Sequence, residues 1–217
     1  MSSSASPPEP PLEVLYRRVD ETADELFYLQ PRMVTHIDDA TIAALTDFYR
    51  EFLPAGSDVL DLMSSWISHL PSELPLGRVA GLGMNAEELA ANPALTDHIV
   101  HNLNDTPALP YPACGFDRAM IVVSIQYLIK PEAVLRSLRE VLRPDGAVCI
   151  AMSHRLFPTK AVLAFHELPP DERIALVAGH LQRAGFDDIQ FIDRSPADAD
   201  PLWLVVAGKS TDGASTS

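Results

Sequence analysis

The chain has 217 residues, 47% hydrophobic and 21% charged, with a formal net charge of −14 at pH 7 when histidine is neutral. At roughly 100–200 residues per domain this is one globular unit with a sizeable core. The acidic balance disfavours general binding to nucleic acid or to an anionic membrane, since both need a basic face.

Residues 1–11, mostly serine and proline, read as a disordered tail, as do residues 210–217. The opening lacks the basic and apolar regions of a secretory signal, and no apolar run is long enough to span a bilayer. Residues 12–53 read as an N-terminal helical cap in two or three pieces, broken near Pro31. In its last piece Ile42, Leu45, Phe48, Tyr49 and Phe52 recur at three- and four-residue spacing, with Asp38 or Asp39 as N-cap and Pro54-Ala55-Gly56 as the stop.

Residues 54–209 form the main unit. Val59–Leu62 and Val79–Leu82 read as buried strands, with a helix expected between them over Trp66–Glu73, shortened by Pro71. Ala86–Ala91 is helical, Ile99–Leu103 extended and Ala119–Val123 a strand. Pro131–Leu142 is a helix with Pro131 at its first position. Arg136, Arg139 and Arg143 lie opposite its apolar stripe and read as a solvated face. Arg143–Gly146 turns into the strand Ala147–Met152, and Asp171–Ala184 is a helix closed by Gly185. Ile189–Ile192 and Leu202–Ala207, joined by the polar loop Asp193–Pro201, read as an antiparallel hairpin at the sheet edge. The expected fold is α/β: a central, mostly parallel seven-stranded sheet with a C-terminal antiparallel hairpin and helices on both faces. Cys114 and Cys149 form neither a C-x-x-C pair nor a disulfide framework, which fits a reducing, cytoplasmic compartment.

The stretch from Leu109 to Met152, LPYPACGFDRAMIVVSIQYLIKPEAVLRSLREVLRPDGAVCIAM, resembles the class I (Rossmann-like) S-adenosylmethionine-dependent methyltransferases, in particular their type 11 branch. Phe116-Asp117, the strand and helix after it, and Glu140–Gly146 carry the match. The resemblance extends over about residues 45–208. It implies S-adenosyl-L-methionine as cofactor, bound outside the carboxyl ends of the strands. Asp61 ends the first strand where the family has an acid followed by three glycines. Those glycine positions fall on Met63, Ser65 and Ile67, so this cofactor loop is glycine-poor. The resemblance places Met63, Ser64, Ser65 and Trp66 in the loop, the serine hydroxyls toward the methionine carboxylate and Trp66 against the ligand. Gly81, Gly83 and Asn85 follow on the second strand. The family's ribose-binding acid is replaced by Gly83, with Asn85 as the nearby polar group. Leu103 and Asn104 would line the adenine, and Ser124 follows the next strand.

Residues leaving two neighbouring strands at the same rim are the candidates for chemistry. Gln126 and Tyr127 would orient an acceptor. His154 is the candidate general base, because neutral imidazole titrates near pH 7. Arg155 would pair with an acidic substrate, and His36 would reach the substrate from the cap. His98 and His101 face opposite sides of an extended segment and share no metal. The implied function is methyl transfer to a small polar molecule; the alternative is a catalytically inactive, methyltransferase-like binding or interaction protein. The acceptor and the oligomeric state are not legible.

Overall fold

The computed structural model describes residues 12–210, so the two tails expected at the termini fall outside the described residues except for Ser210. Seven strands form one sheet: β1 (Val59–Leu62), β2 (Val79–Gly83), β3 (Asp97–Val100), β4 (Phe116–Val122), β5 (Leu142–Met152), β6 (Asp187–Asp193) and β7 (Trp203–Gly208). Their spatial order is β3-β2-β1-β4-β5-β7-β6. The first five are parallel, and β7 pairs antiparallel with both β5 and β6. The expected mixed sheet is therefore present.

Period-two alternation sorts the strand side chains into two apolar layers. Leu60, Leu62, Ala119, Ile121, Val148 and Ile150 share one core with Val134, Leu135 and Leu138 of the helix Pro131–Val141 and with Val177 and Leu181 of the helix Pro170–Arg183. Val59, Met120, Cys149 and Ala151 face the other way and pack on Leu45, Phe48 and Tyr49 of the helix Asp39–Phe52. In chain order the helices are α1 (Leu12–Leu15), α2 (Asp24–Phe27), α3 (Asp39–Phe52), α4 (Ala86–Ala91), α5 (Pro131–Val141), α6 (Ala164–Glu167) and α7 (Pro170–Arg183). The Asp38 side chain caps α3 by accepting from the Thr41 N–H at 2.9 Å. No helix among the described residues is long and apolar enough to cross a membrane.

Three departures from the sequence reading matter. The N-terminal segment is far less helical than expected: α1 and α2 are single turns, and residues 28–38 are irregular. Because α3 belongs to the core of the sheet, the part that lies over the strand ends is residues 24–37. The expected helix at Trp66–Glu73 is absent, and residues 63–78 cross from β1 to β2 as an irregular loop. Pro71 and Pro75 bias the residues before them to extended backbone, and His69 is left-handed at φ 54, so no helix can propagate there. Finally, Arg143, 37% exposed, is not left to solvent alone: it bridges Asp58, at 2.7 Å, and Asp117 at the amino ends of β1 and β4.

Candidate active site

The chain crosses from β1 to β2 on one side and returns to β4 on the other, so the sheet's switch point lies between β1 and β4, where α/β folds bind ligands. A cleft occupies that place, bounded by the carboxyl ends of β1, β2 and β4 and by residues 24–37. Its free internal volume is about 140 Å³, and it opens to solvent at its mouth.

Asp61 forms its floor on the α3 side of the sheet. Its carboxylate, 3% exposed, accepts hydrogen bonds from Ser64 Oγ and Ser68 Oγ, both at 2.6 Å. Burial outweighs those two donors and pushes the Asp61 pKa up to about 6. The loop beyond it begins with Met63 in the left-handed region at φ 60. Ser64 N–H then donates to Leu82 C=O at 2.8 Å, which carries the loop across the end of β2. Ser65 Oγ donates to Glu88 at 2.6 Å, and Trp66 Nε1 donates to Val34 C=O at 3.0 Å.

This routing explains the missing acid. A Cβ on Gly83 would run into the Ser64 carbonyl, so only glycine fits beneath the loop. The acid nearest that end of the cleft is Glu88, which accepts from Ser65 Oγ and from Arg32 N–H at 2.7 Å. Asn85 lines the cleft, but both ends of its amide are engaged by the protein. Its oxygen caps α4 through Glu87 and Glu88 N–H, and its amide donates to Tyr28 and Leu29 C=O. Gly81 does not line the cleft; its missing Cβ makes room for Leu95.

Leu103, Asn104, Ser124 and Tyr127 line the opposite side, as do His36 and Ile37. Asn104 ties the N-terminal segment down, donating to Asp24 at 2.8 Å and to Tyr127 C=O at 3.0 Å. Tyr127 is not a poised acid: its hydroxyl accepts from Phe157 N–H at 2.9 Å, and burial pushes its pKa up to about 12. Val123, just before Ser124, holds φ 45, a region strained for a β-branched residue by about 1–3 kcal/mol.

The remaining candidates are not gathered at the cleft. His154 is half exposed and bonds Asp200 at 3.0 Å through Nε2, and it does not line the cleft, so it is not placed to act as base there. Arg155 donates from Nε to both Asp200 oxygens at 2.9 Å. It borders a small bay adjoining the cleft, but its charge is matched by the 4%-exposed Asp200 carboxylate. Gln126 is buried and donates to Val123 and Arg155 C=O, serving the backbone. After Met152 the chain first passes the start of α3 and the β6–β7 loop, where the Asp38 and Asp200 carboxylates each accept from the other's backbone N–H, and it reaches the cleft only at Phe157.

Sequence reasoning missed Tyr28, Arg32, Ser68, His69, Glu88 and Phe157, all of which line the cleft. The prolines at 71 and 75 were the one signal that the β1–β2 connection is a loop able to present His69. Burial lowers the pKa of His36, with Glu88 opposing and Arg32 reinforcing; burial and then His36 lower that of His69. Both effects favour the uncharged imidazole, although the His36 side chain is exposed at the cleft mouth.

No family model and no curated protein matches the sequence. Solved structures do match. A methyltransferase from Mesorhizobium loti, S-adenosylmethionine dependent, aligns with TM-score 0.54 at 18% identity over 76% of this chain and 97% of its own. The phosphoethanolamine N-methyltransferase 2 of Haemonchus contortus, solved with S-adenosyl-L-methionine, gives 0.57 at 16% identity, covering 78% of this chain and 52% of that one. The [4+2]-cyclase SpnF gives 0.58 at 17% identity over 77% and 81%. The fold is that of the class I, Rossmann-like methyltransferases.

Proposed function

We propose that the chain binds S-adenosyl-L-methionine in this cleft and transfers its methyl group to a small molecule; the type 11 branch is the one its Leu109–Met152 stretch resembles. The observation that carries this reading is the coincidence of the cleft with the switch point of the sheet, between β1 and β4. Charge agrees, since the cofactor is a net cation and the lining offers Asp61 and Glu88, with Arg32 the one lysine or arginine among the described lining residues. Asp61 with its serine hydroxyls, the Met63–Ser65 backbone and Glu88 would hold the cofactor. Bound there, it supplies a methyl group already activated on sulfonium. The chain's own part is to orient the partners and exclude water.

Two features favour the alternative, a binding protein on the same scaffold. No helix N-terminus follows β1 to receive a carboxylate, and Asn85 and Trp66 are engaged in holding residues 28–34. A fold shared with a [4+2]-cyclase does not by itself fix the reaction. Calorimetric titration with S-adenosylmethionine and with its demethylated product separates the readings. Saturable binding of either is expected; no heat and no thermal shift at millimolar ligand would overturn the methyl-transfer reading in favour of the alternative.

A further inference from the structure

Two side-chain atoms of the cleft lining are buried without a hydrogen-bond partner among the described residues: Ser124 Oγ and His69 Nδ1. Ser124 is 7% exposed. Buried polar atoms are nearly always paired, so two orphans in one cleft point to a ligand that pairs them. Each is held by left-handed backbone, His69 at its own φ of 54 and Ser124 by the φ of 45 at Val123. Both strained points are braced. Thr46 Oγ1 of α3 donates to His69 C=O at 2.9 Å, and Gln126 Nε2 donates to Val123 C=O at 2.9 Å. Leu70, next to His69, packs against the apolar cluster that holds Val123, next to Ser124, and the α3 residues Leu45 and Phe48.

The surroundings define what fits. Ile37 and Val123 are apolar, and His36 stands edge-on to Phe157 at 5.3 Å, with Phe157 stacked on Tyr127 at 5.6 Å. Among the described lining residues each charge already has protein partners, Asp24 with Arg18 among them. Arg32 lies over the Phe27 ring at 4.4 Å and donates to Phe27 C=O, while Asp61 and Glu88 are bound by hydroxyl and backbone donors. The imidazoles of His36 and His69 are held toward neutrality by burial; Glu88 and Arg32 face the first with opposite effect, and His36 faces the second.

We propose that this end of the cleft is a subsite for a small, uncharged, planar molecule bearing a hydroxyl group, a phenol in the simplest case, with that hydroxyl set between Ser124 Oγ and His69 Nδ1. A hydroxyl both donates and accepts, so it satisfies both orphans whichever tautomer His69 adopts. Naming this molecule the methyl acceptor rests on the function proposed above; the binding itself does not.

The test is calorimetric titration of the full chain with p-cresol at pH 8, with and without S-adenosylmethionine, beside 4-methylanisole and 4-methylbenzoate. Saturable p-cresol binding is expected, with the ether and the carboxylate weaker by about tenfold or more. Ser124→Ala and His69→Gln should each weaken p-cresol by about tenfold without changing the circular-dichroism melt. The ¹⁵N resonance of His69 Nδ1 should move on saturation. Equal binding of p-cresol and 4-methylanisole overturns the subsite, as do wild-type affinity in both variants or an unmoved nitrogen resonance. If His69→Gln fails to fold, Ser124→Ala and the ether comparison still decide. Binding of p-cresol where S-adenosylmethionine gives no heat keeps the subsite and removes the methyl-transfer reading; cofactor binding without p-cresol binding does the reverse.

Discussion

Replacing Asp61 with asparagine should stabilise the protein, and only above about pH 5. The native carboxyl, fully enclosed, has its pKa raised from 3.8 to about 6, so the folded state holds this proton more tightly than the unfolded chain does. The stability this contributes is complete below the unfolded pKa and is lost as pH rises through the folded one. At 1.36 kcal/mol per unit, a displacement of about two units corresponds to roughly 3 kcal/mol of penalty near pH 8. Asparagine keeps an oxygen to accept from Ser64 and Ser68 and never ionises. Asp61→Asn should therefore match wild type at pH 4 and exceed it by up to about 3 kcal/mol at pH 8, or roughly 6–12 °C in Tm for a chain of this size. Urea unfolding followed by circular dichroism at each pH from 4 to 8 measures it. Taking the difference between the two proteins cancels the surface carboxylates, such as Asp38, whose hydrogen bonds to Thr41 lower its pKa and act in the opposite sense. A difference that stays flat with pH, or a variant less stable at pH 8, would refute the reasoning.

Gly83→Ala should lower stability by about 1–3 kcal/mol and weaken cofactor binding, because the new methyl meets the Ser64 backbone, which cannot step aside as a side-chain end would; unchanged melt and titration would show that the loop does not cross β2 this way. Lys160, fully buried, donates to Thr22 C=O at 2.6 Å and pairs with Asp24 at 3.2 Å. Lys160→Met leaves Asp24 with Arg18 as its partner, so a loss toward the lower end of about 3–5 kcal/mol is expected, with faster tryptic cleavage at Arg17, Arg18 or Arg32. A thiol reagent should modify exposed Cys114 at once but reach Cys149, buried beside α3 and raised in pKa by that burial, only on unfolding; equal native rates would contradict the packing.

What the sequence made legible follows from the range of the interactions involved. Strands such as Val59–Leu62 and helices such as Pro131–Val141 are dictated by local apolar rhythm and local caps, and the structure has them where the rhythm places them. Asp61 and the loop after it, singled out in the sequence, line the cleft. The individual roles were not legible, because the partners that decide them lie far away in the chain. Asn85 is taken up by Tyr28, 57 positions away, and Arg155 by Asp200, 45 positions away. His69 stayed hidden because the helix-sized run Trp66–Glu73 reads as a helix that Pro71 shortens, whereas in the structure the whole run is loop.

The position of β7 bears on how the chain is assembled. It is the last strand among the described residues, yet it lies inside the sheet, between β5 and β6. Until Trp203–Gly208 is available, β6 has nothing to pair with, and the cluster that joins Leu45 and Phe48 to Leu202 and Leu204 stays open to water. Thr41 Oγ1 donates to Asp200 C=O across 159 positions, so this seal forms only after the chain beyond Asp200 has left the ribosome. A nonsense codon or a protease cut near residue 200 thus removes an interior strand rather than a frayed border, leaving β6 unpaired and the α3 side of the core open.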